Sequence, residues 1–545
     1  MDCEFLEEFS HVLGSWMYPK DIDAAVKFLV SQLEDLENVV IYGAGSHSQL
    51  LWDRFPVQTK SKIRCILDMY PEGKNFPVKV MHPTDFIKSG QPYDIIVLSH
   101  FDFESSMQEK LHDLGVNDDN ILPVYINNDY YASLSKQSPV PELDKQTRQG
   151  RQVIALVTMR GDRKIMNDGV IAELAYDSRL VMVNLDMGRD KTERQDLYEI
   201  YYDCQRSVYH LLNAIQALKP DVIYIHDQIE SLYFLPRLIL QCMPGATVVW
   251  EPYDLLKLMI EDYAILGIDK ALTANEIEFL RDNERFALEN SAGVVYKEVG
   301  SLAESVYQQS RVLPSLHFNQ YLESHLISHH EIIFESPYKL VYAGTIDPSR
   351  AEDVFTGDNY LLGEFELLLS QGLSLDVFLT CEKQVIPVQY QAYQELEELY
   401  PDFKIHARSP LDELIRKLSG KFHFGIQIGR CDKQMLEVNQ RRYSSTFSAK
   451  LWSYIFAGLP IIVNEELQGM AEFVSRYDIG LTVSCYRHED VALLLSKVTP
   501  ERYAEMVVNV RELAEASCAE KMSSEMVDFL VNIYNQTGSE SVKGG

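Results

Sequence analysis

Ten short runs of β-branched and aliphatic residues recur along this chain, each followed by a turn signal and then an amphipathic stretch. They are Val39–Tyr42, Ile63–Leu67, Ile95–Leu98, Val153–Val157, Leu180–Val183, Val222–Ile225, Thr247–Trp250, Lys339–Tyr342, Leu375–Leu379 and Pro460–Val463. A strand that is apolar almost throughout is buried on both faces, and the helices between such strands supply the cover. The pattern predicts an α/β chain of doubly wound, Rossmann-like units with parallel sheets. At roughly 100–200 residues per domain, 545 residues hold three of them.

The breaks between units are compositional. Ser133 to Arg151 is polar with two prolines and reads as a linker. A stretch rich in His, Ser and Asn precedes the fresh apolar run at Lys339, which sets a boundary near 335. The expected organisation is a Rossmann-like unit over 1–132, a linker over 133–150, and two consecutive doubly wound units over 151–335 and 336–500. Helices follow from 501, and the Gly/Ser/Lys-rich residues from Asn535 to Gly545 are expected to be disordered. No repeat of solenoid period is present.

Charge narrows the partners. Fifty Lys and Arg against 81 Asp and Glu give a formal charge of −31. A surface this negative repels nucleic acid and anionic lipid, although a local basic pocket can still hold a phosphate. The eight cysteines show neither CxxC nor zinc-ligand spacing, which fits a reducing, cytoplasmic setting. The first residues lack the basic and apolar regions of a signal peptide, and no uncharged apolar stretch reaches the ~18 residues of a membrane span. Peripheral membrane contact stays open, with no basic amphipathic segment to argue for it.

Gly43 and Gly45 lie directly after the first apolar run and before a helical stretch. A glycine turn in that place lets backbone N–H groups approach a phosphate at a helix N-terminus. Ser48 stands where a third glycine would complete the motif, and Asp68 ends the next run, where a carboxylate can reach a ribose hydroxyl. The plain alternative is a tight strand–helix turn. The strings Gly43-Ala-Gly-Ser-His-Ser-Gln-Leu-Leu-Trp-Asp53, Ile66-Leu-Asp68, Tyr93-Asp-Ile-Ile-Val-Leu-Ser99 and Leu111-His-Asp-Leu-Gly115 resemble the small Rossmann-like domain that precedes the hexapeptide barrel of bacterial sugar acetyltransferases. The resemblance implies a nucleotide-sugar site at His47 and Asp68. No hexapeptide repeat follows, so acetyl transfer is not implied.

Five further strings fall in order over 219–480: Lys219-Pro-Asp-Val-Ile-Tyr-Ile-His-Asp227, Val248-Val-Trp-Glu-Pro-Tyr-Asp254, Lys339-Leu-Val-Tyr-Ala-Gly-Thr-Ile-Asp347, Phe403-Lys-Ile-His-Ala407 with Phe424-Gly-Ile-Gln-Ile428, and Ser448-Ala-Lys-Leu-Trp-Ser-Tyr-Ile-Phe-Ala-Gly-Leu-Pro-Ile-Ile-Val463. Together they resemble the family-4-like glycosyltransferases of GT-B fold. The last string has its own physics. Gly458 and Pro460 end a helix, and Lys450 sits in its first turn, where the macrodipole disfavours a cation. A bound diphosphate resolves that conflict; a solvated lysine on a surface helix is the alternative.

The resemblance implies transfer of a sugar from a nucleotide-diphosphate donor to a hydroxyl acceptor with retention, in polysaccharide or glycoconjugate biosynthesis. The acceptor would be a glycan, a lipid-linked glycan or a protein. No cofactor and no metal are implied. Lys450, Arg350, Gly344, Thr345, Ser445 and Ser448 fall at donor-binding positions, and Glu251, Asp254 and His226 at the acceptor and reacting sugar. The family carries two glutamates where this chain has Ser445 and Ser453. That departure keeps alive a non-catalytic sugar-nucleotide-binding protein. A nicotinamide-dependent oxidoreductase using Gly43 to Asp68 is a weaker rival, since no Tyr-x-x-x-Lys pair accompanies the turn.

Overall fold

The structure is a computed structural model that describes residues 22–100, 104–125, 142–158, 168–188, 195–227, 234–252, 255–259, 274–309, 314–319, 321–330, 333–348, 359–381, 383, 386–430 and 440–541. Its strands form three sheets. The first contains β1 (Val39–Tyr42), β2 (Ile63–Leu67), β3 (Lys79–Met81), β4 (Ile95–Leu98) and β5 (Ile121–Leu122), in the order β3-β2-β1-β4-β5. The second contains β6 (Gln152–Thr158), β7 (Leu180–Asp186), β8 (Ile200–Asp203), β9 (Val222–Asp227), β10 (Val248–Pro252), β11 (Gly293–Tyr296) and β12 (Ser315–His317), in the order β12-β11-β10-β9-β6-β7-β8. The third contains β13 (Lys339–Ala343), β14 (Ser374–Phe378), β15 (Phe403–His406), β16 (Phe424–Gln427), β17 (Ile461–Asn464) and β18 (Gly480–Val483), in the order β15-β14-β13-β16-β17-β18.

Each sheet starts in the middle, grows to one edge, then crosses back and grows to the other. That is the doubly wound order, with its switch point beside the first strand of each sheet. Central strands such as β1, β16 and β17 are buried at every position, because helices cover both faces. The helix Val208–Leu218 shows how the connections form. Ser207 caps it by accepting from His210 N at 3.3 Å, its buried positions 208, 211, 212, 215 and 218 lie on one stripe, and Lys219 turns out at φ +47° into β9.

Contacts divide the chain into two compact units. One comprises 1–162, 181–223 and 238–246, and the other comprises 163–180, 224–237 and 247–545. Within the second, the helix Ala519–Ser541 packs on the helix Asp168–Tyr176, and Asp528 pairs with Arg179 at 2.8 Å. Side chains Phe529 and Ile533 lie against Gly293 of β11. The helix runs on to Ser541, through part of the stretch expected to be disordered, and its buried stripe of Val527, Leu530 and Ile533 ends just before that stretch. Part of the expected linker lies outside the described residues; Lys145–Arg148 forms a helical turn, and Arg148 bonds the Leu218 carbonyl at 2.9 Å. Of the cysteines, Cys65, Cys204, Cys381, Cys485 and Cys518 are free thiols, and Cys242 is disulfide-bonded.

Candidate functional site

A cavity of about 350 Å³ opens where the carboxyl ends of β16 and β17 meet the start of the helix Lys450–Phe456. Among the described residues its lining includes three cations, Lys297, Arg442 and Lys450, and no carboxylate. Asn359, Gln427, Thr446 and Ser448 add neutral polar groups, while Leu467 and Met470 form an apolar side. In a chain of formal charge −31, such a lining selects an anion with a polar, partly apolar body.

The sequence builds this place with little freedom. Tyr454 is fully buried, accepts from Ala343 N at 2.9 Å and donates to Ile426 O at 3.0 Å, tying the ends of β13 and β16 to one helix. Gly425 lets that ring approach; a Cβ there would lie 2.3 Å from the ring. Asn464 ends β17, is fully buried, and its Oδ1 accepts from Gly429 N at 2.8 Å, which fixes the cavity wall. His488 supports the Asn464 amide at 2.7 Å; burial lowers the imidazole's affinity for a proton, which suits an acceptor ring nitrogen. At the far end of the short helix Gly458 turns at φ +75° and Leu459 N closes onto Tyr454 O at 2.9 Å.

Lys450 is the first residue of that helix. Its Nζ donates to the Tyr342 hydroxyl at 2.7 Å and sits 4.6 Å from the centre of the same ring. Gly344 makes room for it, since a Cβ at 344 would meet Lys450 Cε at 2.3 Å. The expected residues Lys450 and Ser448 both line the cavity, and Gly344 abuts Lys450. Thr345 is turned to Thr380, with hydroxyls 3.1 Å apart. Ser445, expected at the donor, is buried, and its hydroxyl donates to Arg441 O at 3.0 Å. A serine side chain is too short to leave its own helix, and its backbone oxygen accepts from Val299 N at 2.9 Å. Arg350 and Asp254 lie outside the described residues.

A second cluster stands at the carboxyl ends of β9 and β10. His226 Nδ1 lies 2.8 Å from Glu251 Oε2, and the Tyr224 hydroxyl donates to the same oxygen. Burial alone would raise the Glu251 carboxyl. The field and hydrogen bond of His226, the Tyr224 hydroxyl and the charge of Lys297 outweigh it and hold the carboxyl below its ordinary value. Lys297 therefore acts on this pair while lining the cavity.

The first sheet treats its motif differently. Gly43 takes φ +111° with its N–H on Leu67 O at 2.7 Å, and Gly45 caps the helix Ser46–Arg54. Asp68 Oδ2 accepts from Ala44 N at 2.8 Å, and Oδ1 from Tyr70 N at 2.8 Å. His47 is 2% exposed, with Nδ1 on the Ser99 hydroxyl at 2.9 Å and Nε2 on the Tyr125 hydroxyl at 2.8 Å. Both ring nitrogens of His47, expected at a nucleotide, are engaged inside the fold. Ser48, in place of the third glycine, is buried and bonds Ser99 at 2.6 Å.

No curated protein matches the chain in sequence. A family model described as the glucosyltransferase 3-like C-terminal domain matches residues 373–525, which hold most of the cavity lining. Among solved structures, the sucrose-phosphate synthase of Thermosynechococcus elongatus is similar over 71% of this chain and 100% of its own, with a TM-score of 0.50 and 12% identity. The fold is GT-B. An E. coli trehalose-6-phosphate structure bound with UDP-2-fluoro glucose covers 70% of this chain and 99% of its own (TM-score 0.45, 9% identity). Anabaena HepE in complex with UDP and glucose covers 72% and 99% (TM-score 0.43, 12% identity).

In the GT-B chain, sequence reasoning missed Gln427, Arg442, Lys297, Asn359 and Thr446 of the lining. Gln427 carried a legible signal, an amide at the end of an otherwise apolar strand. Lys297 and Asn359 carried none, since both reach the cavity only through the tertiary fold. Among the described residues no cluster of His, Cys, Asp or Glu has the geometry of a metal site, and no helix is long and apolar enough to cross a membrane.

Proposed function

We propose that the protein is a glycosyltransferase that moves a sugar from a nucleotide-diphosphate donor, bound in the cavity, to a hydroxyl acceptor. The observation that carries this reading is the described lining: three cations, with no carboxylate among the described residues, in an acidic chain, at strand carboxyl ends and a helix start. The glucosyltransferase 3-like match over the same residues supports it.

Residues 336–500 hold the donor in this reading, and 151–335 present the acceptor. When the bond from the anomeric carbon to the diphosphate oxygen breaks, negative charge grows on the leaving group. Lys450 and Arg442 stabilise it, helped by Lys297, and Arg350 is a further candidate. The acceptor oxygen forms the new bond and loses its proton. Glu251, kept ionised by its neighbours, orients the acceptor hydroxyl by accepting its hydrogen bond, with His226 holding the carboxylate in place. Retention is what the family-4 resemblance implies. The soluble cytoplasmic setting, and a role in building a polysaccharide or glycoconjugate, belong to the same proposal.

Titrating the full chain with UDP, GDP and ADP and their sugar conjugates, read by thermal stability, tests it. A true ligand at 100 Kd stabilises by about 2.7 kcal/mol. A shift lost in Lys450→Ala supports the donor site; no shift with any conjugate sinks it. One observation favours a second reading, binding without turnover: Ser445 is turned into its own helix and no carboxylate among the described residues lines the cavity. Release of UDP from UDP-glucose, with and without a glycan acceptor, separates the two.

A further inference from the structure

The lining contains one polar group that the fold leaves unanswered. Gln427 is 8% exposed, ends β16, and faces the cavity, yet its Oε1 has no hydrogen-bond partner among the described residues. Its position is well held. Gly425, two residues earlier, is clamped against the Tyr454 ring, the Tyr454 hydroxyl bonds the intervening Ile426 carbonyl, and Gln427 itself pairs with Val463 of β17. A buried carbonyl oxygen without a donor has given up its hydration with nothing in exchange. The fold carries that cost at a residue for which an apolar side chain would suit the strand.

The chemistry that answers it can be narrowed. The diphosphate offers only acceptor oxygens, and the cavity already has three cations for them. A primary amide accepts at oxygen and donates at nitrogen, which matches a hydroxyl, itself donor and acceptor. Such an amide adds no negative charge beside the diphosphate, whereas a carboxylate in this place would. We infer that Gln427 is a specificity-determining contact that reads a ring hydroxyl of the bound nucleotide sugar, an inference that rests on the donor reading above. The hydroxyl belongs either to the transferred sugar or to the ribose.

Calorimetric titration of the full chain with UDP, UDP-glucose, 2′-deoxy-UDP and the monodeoxy UDP-glucoses tests it, on the unchanged protein and on Gln427→Met, which keeps the length and removes the amide. Loss of one neutral hydrogen bond weakens binding about tenfold. A tenfold loss in Gln427→Met for UDP-glucose alone assigns the transferred sugar; the same loss for UDP as well assigns the ribose. One deoxy analogue must then bind the unchanged protein about tenfold more weakly and show no further loss in the variant. This analogue comparison on the unchanged protein stands even if the methionine variant misfolds: equal binding of every deoxy analogue overturns the inference. Unaltered affinities in a folded Gln427→Met overturn it too, and mean that water alone satisfies the amide, while the donor reading survives. If the unchanged protein binds neither UDP nor UDP-glucose, the donor reading fails and the inference falls with it.

Discussion

Two helix starts in this molecule lie beside the carboxyl ends of parallel strands and part in their chemistry. At the end of β1, Gly43 to Gly45 opens a helix beside β4, and the polar side chains around it answer one another: Asp68 takes the Ala44 amide, while His47 joins Ser99 to Tyr125. Near the ends of β13 and β16, the short helix beginning at Lys450 opens beside a cavity lined by three cations and by the Gln427 amide, whose Oε1 has no hydrogen-bond partner among the described residues. A glycine turn after a first strand is a backbone solution available to any doubly wound sheet. What marks a ligand site is polar capacity left over once the fold has satisfied itself, and the second junction has it where the first does not.

Mutations should separate the two along that line. The largest effect is expected for Lys450→Ala, a loss of about 10²–10³ in kcat/KM with the melting temperature of the ligand-free protein unchanged, checked by steady-state kinetics and calorimetry. Next comes Gly43→Ala. Its φ of +111° and a Cβ 2.6 Å from Ser99 O combine backbone strain with a clash against main chain, costing about 3 kcal/mol in a melting curve and leaving nucleotide affinity intact.

Carboxylates sharpen the contrast. Glu104 of the first unit takes the Val124 and Tyr125 amides at 2.9 and 2.7 Å. Glu284 of the second takes the Leu256 and Lys257 amides at 2.5 and 3.1 Å, yet burial, with the charge of Glu298 adding, raises its carboxyl from 4.5 to about 7. A folded state that holds the proton more tightly than the unfolded chain is favoured at low pH. This contribution is complete below pH 4.5, is lost as pH rises through 7, and amounts to about 3 kcal/mol at about 1.36 kcal/mol per unit. Glu284→Gln should flatten the melting temperature between pH 5 and 7. Smaller again, His47→Phe should cost about 2 kcal/mol by removing the buried hydrogen bonds to the Ser99 and Tyr125 hydroxyls, again without touching affinity. A loss of nucleotide binding in His47→Phe, with stability unchanged, would erase the distinction between the junctions.

The sheets were legible where strands are covered on both faces. All ten apolar runs lie on strands, several with identical bounds, such as β1, β2 and β4. Absent from those runs are all six strands at the sheet edges, β3, β5, β8, β12, β15 and β18, and two internal ones, β11 and β16, each of which carries a glycine. An edge strand has a neighbour on one side only, and here the exposed positions of β3 and β12 break any apolar run. Lys450 was legible because its place in a helix's first turn conflicts with the macrodipole. Lys297 and Asn359 were not legible, since their roles depend on which strand ends converge, which local spacing does not encode, whereas Gln427 was passed over despite its amide at the end of an apolar strand.

Gly293 of β11 lies against Phe529 and Ile533, side chains more than 230 positions later in the chain. During synthesis the ribosome delivers that strand long before the helix that covers it. Earlier parts of a chain fold as units while later ones are still being made, so this face waits uncovered through the whole translation of the third sheet. A chaperone, or slow hydrophobic association with another nascent chain, competes for it during that interval. The yield of native protein should therefore respond to elongation rate, and not to the equilibrium strength of the helix packing alone.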